Sequence, residues 1–166
     1  LVIILSAGLF NCFLFAQQSI QPDKELTSKI TQLAGSLTGK DSKASQENLF
    51  KIIETNPDAM VMNTKNHLIR ASWLCQVFLL GSDKSSQEFT KHEANYKKQF
   101  DVAKTQKDLQ GLYEIVRNGL YCKSGIDASL LLGDRAFEQS KIEEAEFWWS
   151  LPLALYSEAQ QKSNLD

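Results

Sequence analysis

The stretch Leu130-Leu131-Leu132-Gly133-Asp134-Arg135-Ala136-Phe137-Glu138, followed by Gln139-Ser140-Lys141 and Ile142-Glu143-Glu144-Ala145-Glu146-Phe147-Trp148-Trp149, decides the fold. Each half is apolar at helical spacing, and Ser140-Lys141 makes the turn between them. Small residues at Gly133 and Ala145 let two antiparallel helices approach closely. Leu132 packs beside the glycine, and Trp149, one turn past Ala145, fills the adjoining groove. Glu143, Glu144 and Glu146 suit the positive start of the second helix. Trp148 and Trp149 are separated by about 100° of helix, so only one points fully into the pair. The other, Trp148, is the candidate contact surface, because exposed Trp is a favoured interface anchor. Its plainer reading is a boundary residue covered by the chain's own segments. Pro152, which lacks an N–H and costs about 3 kcal/mol inside a helix, is expected to kink or end the second one.

Working outward, the rest of the chain reads as more helices. Pro22-Asp23 opens and caps a first helix to about Gly35, with Leu26, Ile30, Leu33 and Leu37 on one face. The polar connector Gly39-Lys40-Asp41-Ser42-Lys43 leads to a short helix through Leu49, Phe50, Ile52 and Ile53, ended by Asn56-Pro57. Met60-Val61-Met62 is the one extended candidate, and no partner strand is evident for it. From Asn66 to Leu80, Leu68, Ile69, Trp73, Leu74, Val77 and Phe78 predict a buried helix closed by Gly81. Ser85 and Glu88 have capping-box spacing ahead of the stripe Phe89, His92, Tyr96, Phe100 and Ala103. Leu109, Leu112, Tyr113, Val116 and Leu120 mark the next helix. Ser124 and Asp127 again have capping-box spacing and open the helix that ends near Phe137.

Composition agrees. The chain has 166 residues, 18 Lys+Arg against 20 Asp+Glu and a net charge of −2, so it carries no field directed at nucleic acid. With 43% hydrophobic and 23% charged residues it builds one ordinary globular core, and 8 Gly and 3 Pro are too few for the turns of a sandwich or propeller. The expected fold class is therefore all-α: five to seven helices in antiparallel pairs.

Residues 1–16, from Leu1 to Ala16, are uncharged and apolar. Sixteen residues at about 1.5 Å each reach only ~24 Å, short of a hydrocarbon core of roughly 30 Å. This segment reads as a signal peptide lacking its basic start, with Ala16 before the cleavage point and a membrane anchor as the alternative. The expected location is periplasmic or extracellular, and membrane-anchored if residues 1–16 stay uncleaved. Residues 17–42 are then expected to hold the first helix and polar linker, 43–160 the helical domain, and 161–166 the start of a linker to a missing C-terminal region. In such a compartment Cys75 and Cys122 are free to pair, closing a loop of about 47 residues worth on the order of 4 kcal/mol. Their neighbours Trp73-Leu74 and Leu120-Tyr121 argue instead for two small buried hydrophobes.

Leu132-Gly133, Ala145 and Trp149 fall in the order L-G-x2-Y…A-x3-F, and the chain resembles a tetratricopeptide repeat there. Ser129 stands where Trp is usual, Ala136 where Tyr is usual, Ser140 where the turn usually has Gly, and Ser157 in place of the late Pro. A frame shift of 34 sets Gly111 under Ala145 and Tyr113 under Phe147, hinting at a preceding repeat. From about Pro57 to Leu155, including Leu112-Tyr113-Glu114-Ile115-Val116 and Ser124-Gly125-Ile126-Asp127-Ala128, the chain is similar to the N-terminal helical region of secreted bacterial proteins that continue into a pyrroloquinoline-quinone-type β-propeller. The resemblance implies a short tetratricopeptide-like superhelix that serves as a non-catalytic scaffold. Its partner would be another protein or the chain's own propeller. The alternative it implies is a quinone-binding or enzymatic propeller protein whose active region is absent from this chain.

The residues themselves offer little catalytic chemistry. His67 and His92 with Cys75 and Cys122 lack any ligand spacing, and neither G-x-G-x-x-G nor G-x4-G-K-[ST] occurs. Glu143, Glu144 and Glu146 read as a solvated cluster. The lysines between Lys91 and Lys107 are interrupted by Glu93 and Asp101, giving a wet helix face. No catalytic residue, metal site or cofactor is expected, and no enzymatic activity.

Overall fold

A computed structural model describes residues 21–163 except 40 and 64, without the side chains of 161–163. The apolar segment 1–16 lies outside the described residues, as does most of the terminal 161–166 stretch. About 74% of the described residues are helical, in seven helices packed as sequential antiparallel pairs, with one two-stranded hairpin. In order these are α1 (Lys24–Gly35), α2 (Ser42–Thr55), β1 (Met60–Met62), β2 (Leu68–Arg70), α3 (Ala71–Leu80), α4 (Gln87–Gln106), α5 (Leu109–Gly119), α6 (Lys123–Glu138) and α7 (Ile142–Ser163). Among the described residues no helix is long and apolar enough to cross a membrane.

The hairpin corrects the all-α expectation. Met60–Met62 finds its partner in Leu68–Arg70, antiparallel, with Val61 opposite Ile69. Leu68 and Ile69 had the spacing of a helix that in fact starts only at Ala71. The turn supplies the reason. Asn63 Oδ1 accepts from the backbone N–H groups of Lys65 and His67 at 3.0 and 2.9 Å, and Asn66 sits at φ 59°. Two anchors then hold β1 to α1: Asp23 N–H donates to the Met60 carbonyl at 2.8 Å, and Met62 N–H donates to Thr27 Oγ1 at 3.2 Å. Val61 is thereby buried over α1.

Asp23 caps α1 as expected, its Oδ1 accepting from Leu26 N–H at 2.9 Å, whereas several other boundaries move. The second helix begins at Ser42 and is longer than its apolar run, because Ser45 and Gln46 are buried with Leu49, Phe50, Ile52 and Ile53. The cap of α4 is Ser86, whose Oγ accepts from Phe89 N–H, while Ser85 bonds to Asp83 instead. The N-cap of α6 is Cys122, so Ser124 lies inside the helix.

Helices α4 and α6 end the same way. Lys107 and Ser140 adopt left-handed φ values of 56° and 61°, and the N–H of the next residue returns to Ala103 and Ala136 respectively, both at 2.9 Å. Lys107 and Ser140 are 33 residues apart. The core runs through all the pairs, with Ile30, Leu49, Leu74, Leu79, Leu112, Ile115, Ala128, Ala145 and Leu155 essentially inaccessible.

Helix α7 passes through Pro152 without a break. An interior proline takes away the N–H that the carbonyl four residues earlier would accept, here that of Trp148. Ser129 on α6, fully buried, donates its Oγ–H to this carbonyl at 2.5 Å. The neighbouring helix thus supplies the donor that the ring removed.

Candidate functional site

Helices α3, α5 and α7 converge on a half-open groove of about 330 Å³. Its walls are Trp73 from α3, Tyr113 from α5, and Phe147, Trp148 and Leu151 from α7, over a floor of Val116 and Leu120. The rings support one another. Tyr113 and Trp148 stack at 5.2 Å with planes 14° apart, and Phe147 meets Trp148 edge-on at 5.0 Å. Phe147 remains 53% exposed, and the Trp73 indole N–H is held by Glu158 Oε2 at 2.7 Å.

A charged clamp closes one rim. Arg117 Nη1 reaches Asp58 Oδ2 at 3.1 Å and Nη2 contacts Glu114, while Arg70 Nε lies 3.9 Å from Asp58 Oδ1. The clamp ties α5 to the segment that enters β1. Below it, Gln76 in α3 donates to the Arg117 carbonyl at 2.8 Å and accepts from Tyr121 N–H at 3.3 Å. Arg117 Nε and Trp148 Nε1 are buried N–H donors without a hydrogen-bond partner among the described residues. The groove carries no His or Cys in its lining, and its carboxylate Glu114 is engaged by Arg117. Its chemistry is that of an aromatic slot for an apolar group beside a neutralised polar rim.

The residues read as repeat packing lie between α6 and α7. Leu132, Gly133 and Ala145 are buried, and the Trp149 indole covers Gly133 so closely that a Cβ there would overlap it. Trp149 is itself half-buried, its Nε1–H donating to Asp134 Oδ1 at 3.2 Å and its ring 5.8 Å from Phe137. Trp148 is half-buried too and faces the groove. A tighter approach escaped sequence reading. A Cβ on Gly125 would run into the Gly119 carbonyl and lie 2.7 Å from Leu120 Cα, so the α5–α6 corner has backbone against backbone.

The remaining titratable candidates are dispersed. His67 is exposed in the hairpin turn. His92 is half-buried on α4, stacked on Phe50 at 4.0 Å, with Nδ1 3.8 Å from Glu54 Oε1. Burial outweighs the Glu54 carboxylate and lowers its pKa below the ordinary histidine value. Phe50 also belongs to a buried ring cluster with Phe89 and Tyr121, which in turn contacts Tyr96. Tyr121 Oη is buried without a hydrogen-bond partner among the described residues, and burial raises the phenol pKa values of Tyr96 and Tyr121. Cys75 and Cys122 are both free and buried. They are not bridged in this structure, and their burial suits two small hydrophobes. Burial pushes their thiols up to about 12 and about 11, and Cys122 Sγ–H donates to the Gly119 carbonyl at 2.9 Å. Among the described residues no hydrogen bond joins any two of these four, and no three or more His, Cys, Asp or Glu side chains are grouped to hold a metal. Glu143 and Glu146 are exposed, and Glu144 pairs with Lys141 at 3.5 Å.

The groove is not legible in the sequence: Trp73 and Tyr113 stand in separate helical sets and Phe147 in the last helical stretch, and nothing in their spacing says that three helices bring them together. Compared with known proteins, the chain matches no family model, no curated protein and no solved structure.

Proposed function

We propose that this chain is a non-catalytic helical scaffold that holds a protein partner in the aromatic groove between α3, α5 and α7. We further propose that it forms the N-terminal, tetratricopeptide-like part of a larger secreted or periplasmic protein continuing into a pyrroloquinoline-quinone-type β-propeller. The groove carries the first reading: stacked Tyr113 and Trp148 with exposed Phe147 make a wall suited to an apolar anchor residue. The second is supported by the close Gly133–Trp149 packing and by the matching turns at Lys107 and Ser140.

A peptide library displayed against the whole chain tests the first part. Binders should share an aromatic or large aliphatic anchor, quench tryptophan fluorescence, and lose at least tenfold in affinity against Tyr113→Ser. Binding that is indifferent to Tyr113→Ser, or no binder below about 1 mM, refutes it. The propeller reading requires strand-patterned repeats of about 40–50 residues downstream in the natural protein.

A further inference from the structure

The corner between α5 and α6 is built unlike the ends of α4 and α6. Those two helices stop at the left-handed residues Lys107 and Ser140. Leu120, Tyr121 and Cys122 carry the chain from α5 into α6 with no left-handed residue among them. Leu120 is still helical, at φ −63° and ψ −18°, and Cys122 is extended, at φ −109° and ψ 165°.

Side chains from other helices take up the backbone groups instead. In an unbroken helix the Tyr121 N–H would donate to the Arg117 carbonyl, four residues back. The buried amide of Gln76, on α3, stands between the two: its Nε2 donates to that carbonyl at 2.8 Å, and its Oε1 accepts from that N–H at 3.3 Å. The next carbonyl, of Asn118, accepts from Tyr96 Oη on α4 at 3.1 Å. The Gly119 carbonyl is met locally, by the Cys122 N–H at 3.0 Å and Sγ–H at 2.9 Å. The bend is thus set largely by α3 and α4 rather than by the three residues that make it. With Gln76 withdrawn, the two groups it separates can pair directly and carry α5 on into α6 as one helix over 109–138.

A straight helix takes α6 and α7 away from the rest of the fold. It breaks the Trp73–Glu158 hydrogen bond and the Tyr113–Trp148 stack, and it uncovers apolar surface on both parts. A second copy opened in the same way presents the matching surface, and exchange restores every one of these contacts between copies. We infer that the α5–α6 corner is a hinge held shut by Gln76, through which two copies of this chain exchange their α6–α7 pairs. Each aromatic groove is then walled by Trp73 and Tyr113 of one copy and by Phe147 and Trp148 of the other. The exchange does not depend on what that groove holds.

Sedimentation of the unaltered chain and of Gln76→Leu tests the hinge, with Lys123→Pro as a lock. Lys123 is exposed and opens α6 directly after the extended Cys122, a place that accepts proline in the bent corner and excludes it from a straight helix. Gln76→Leu is expected to be mainly dimer at about 50 µM, where the unaltered chain is monomer, and Gln76→Leu/Lys123→Pro to return to monomer. Lys123→Pro alone should remain a folded monomer by circular dichroism. Spin labels on Gln110→Cys and Glu138→Cys, both exposed positions, are read in the Gln76→Leu dimer diluted tenfold with unlabelled protein; Cys75 and Cys122 are buried. The labels should part from neighbouring positions in the antiparallel pair to about 42 Å along one helix. Warmed close to its Tm at about 1 mM and cooled, the unaltered chain should trap the same dimer. A monomeric or unfolded Gln76→Leu, a dimer that persists with Lys123→Pro, or a label distance that stays short in the dimer overturns the inference. So does an unaltered chain that yields no dimer on warming.

Discussion

Replacing Ser129 by alanine removes one oxygen from a fully buried site and strips the Trp148 carbonyl of the donor that reaches it at 2.5 Å. Because Pro152 has no N–H to offer that carbonyl, the lost bond leaves a part-buried acceptor unpaired, and the expected cost is about 1–3 kcal/mol. For a chain of this size that is a fall of roughly 2–4 °C in Tm per kcal/mol. Urea unfolding followed by tryptophan fluorescence measures it, with an unchanged m-value indicating that only stability has moved. The decisive measurement is a double-mutant cycle with Pro152→Ala. That substitution restores the intrahelical N–H, so in its background Ser129→Ala should cost less by about 1 kcal/mol or more. Equal costs in both backgrounds would show that the hydroxyl does not stand in for the missing amide.

Four further outcomes are expected. Gly125→Ala should destabilise far more than Gly133→Ala, because the first sets Cβ against the backbone of Gly119 and Leu120 whereas the second meets a half-buried indole that can shift; equal melting temperatures would argue against the corner packing. Ser140→Gly should raise stability by about 1 kcal/mol, since Ser140 occupies the left-handed region at φ 61°, and a thermal melt reads the gain. Since the folded state holds the His92 pKa below its unfolded value near 6.5, the unfolded chain takes the proton first. Stability is thus full above pH 6.5 and declines as pH falls through 6.5 toward the folded pKa. The urea midpoint should drop between pH 7.5 and 5.5, and drop less in His92→Gln. Finally, Cys75 and Cys122 should resist a disulfide reagent at pH 8 in the native chain and react at once in denaturant, their pKa values being about 12 and about 11. Rapid native labelling of either would contradict their burial.

Much of the helical architecture was legible because a helix buries residues at a short, local period. The stripe from Phe89 to Ala103 and the set from Leu109 to Leu120 needed only near neighbours to be read. Asp23 as a cap followed from the same local chemistry. Reading failed where a distant segment altered a local preference. Leu68 and Ile69 have helical spacing, yet the hydrogen bonds offered by Met60–Met62 draw them into a strand. Pro152 looks like a stop until Ser129 is brought beside it from another helix.

The amino-acid sequence by itself determined that this chain is mainly helical, that its core is apolar, and that Gly133 and Ala145 stand at helical spacing in the last pair. Only the tertiary structure decided that Trp73, Tyr113 and Trp148 share one groove, that Gly125 meets Gly119, and that α7 continues through its proline. Periodicity is a property of adjacent turns, whereas a groove, a backbone contact and a borrowed hydrogen bond depend on which helices become neighbours.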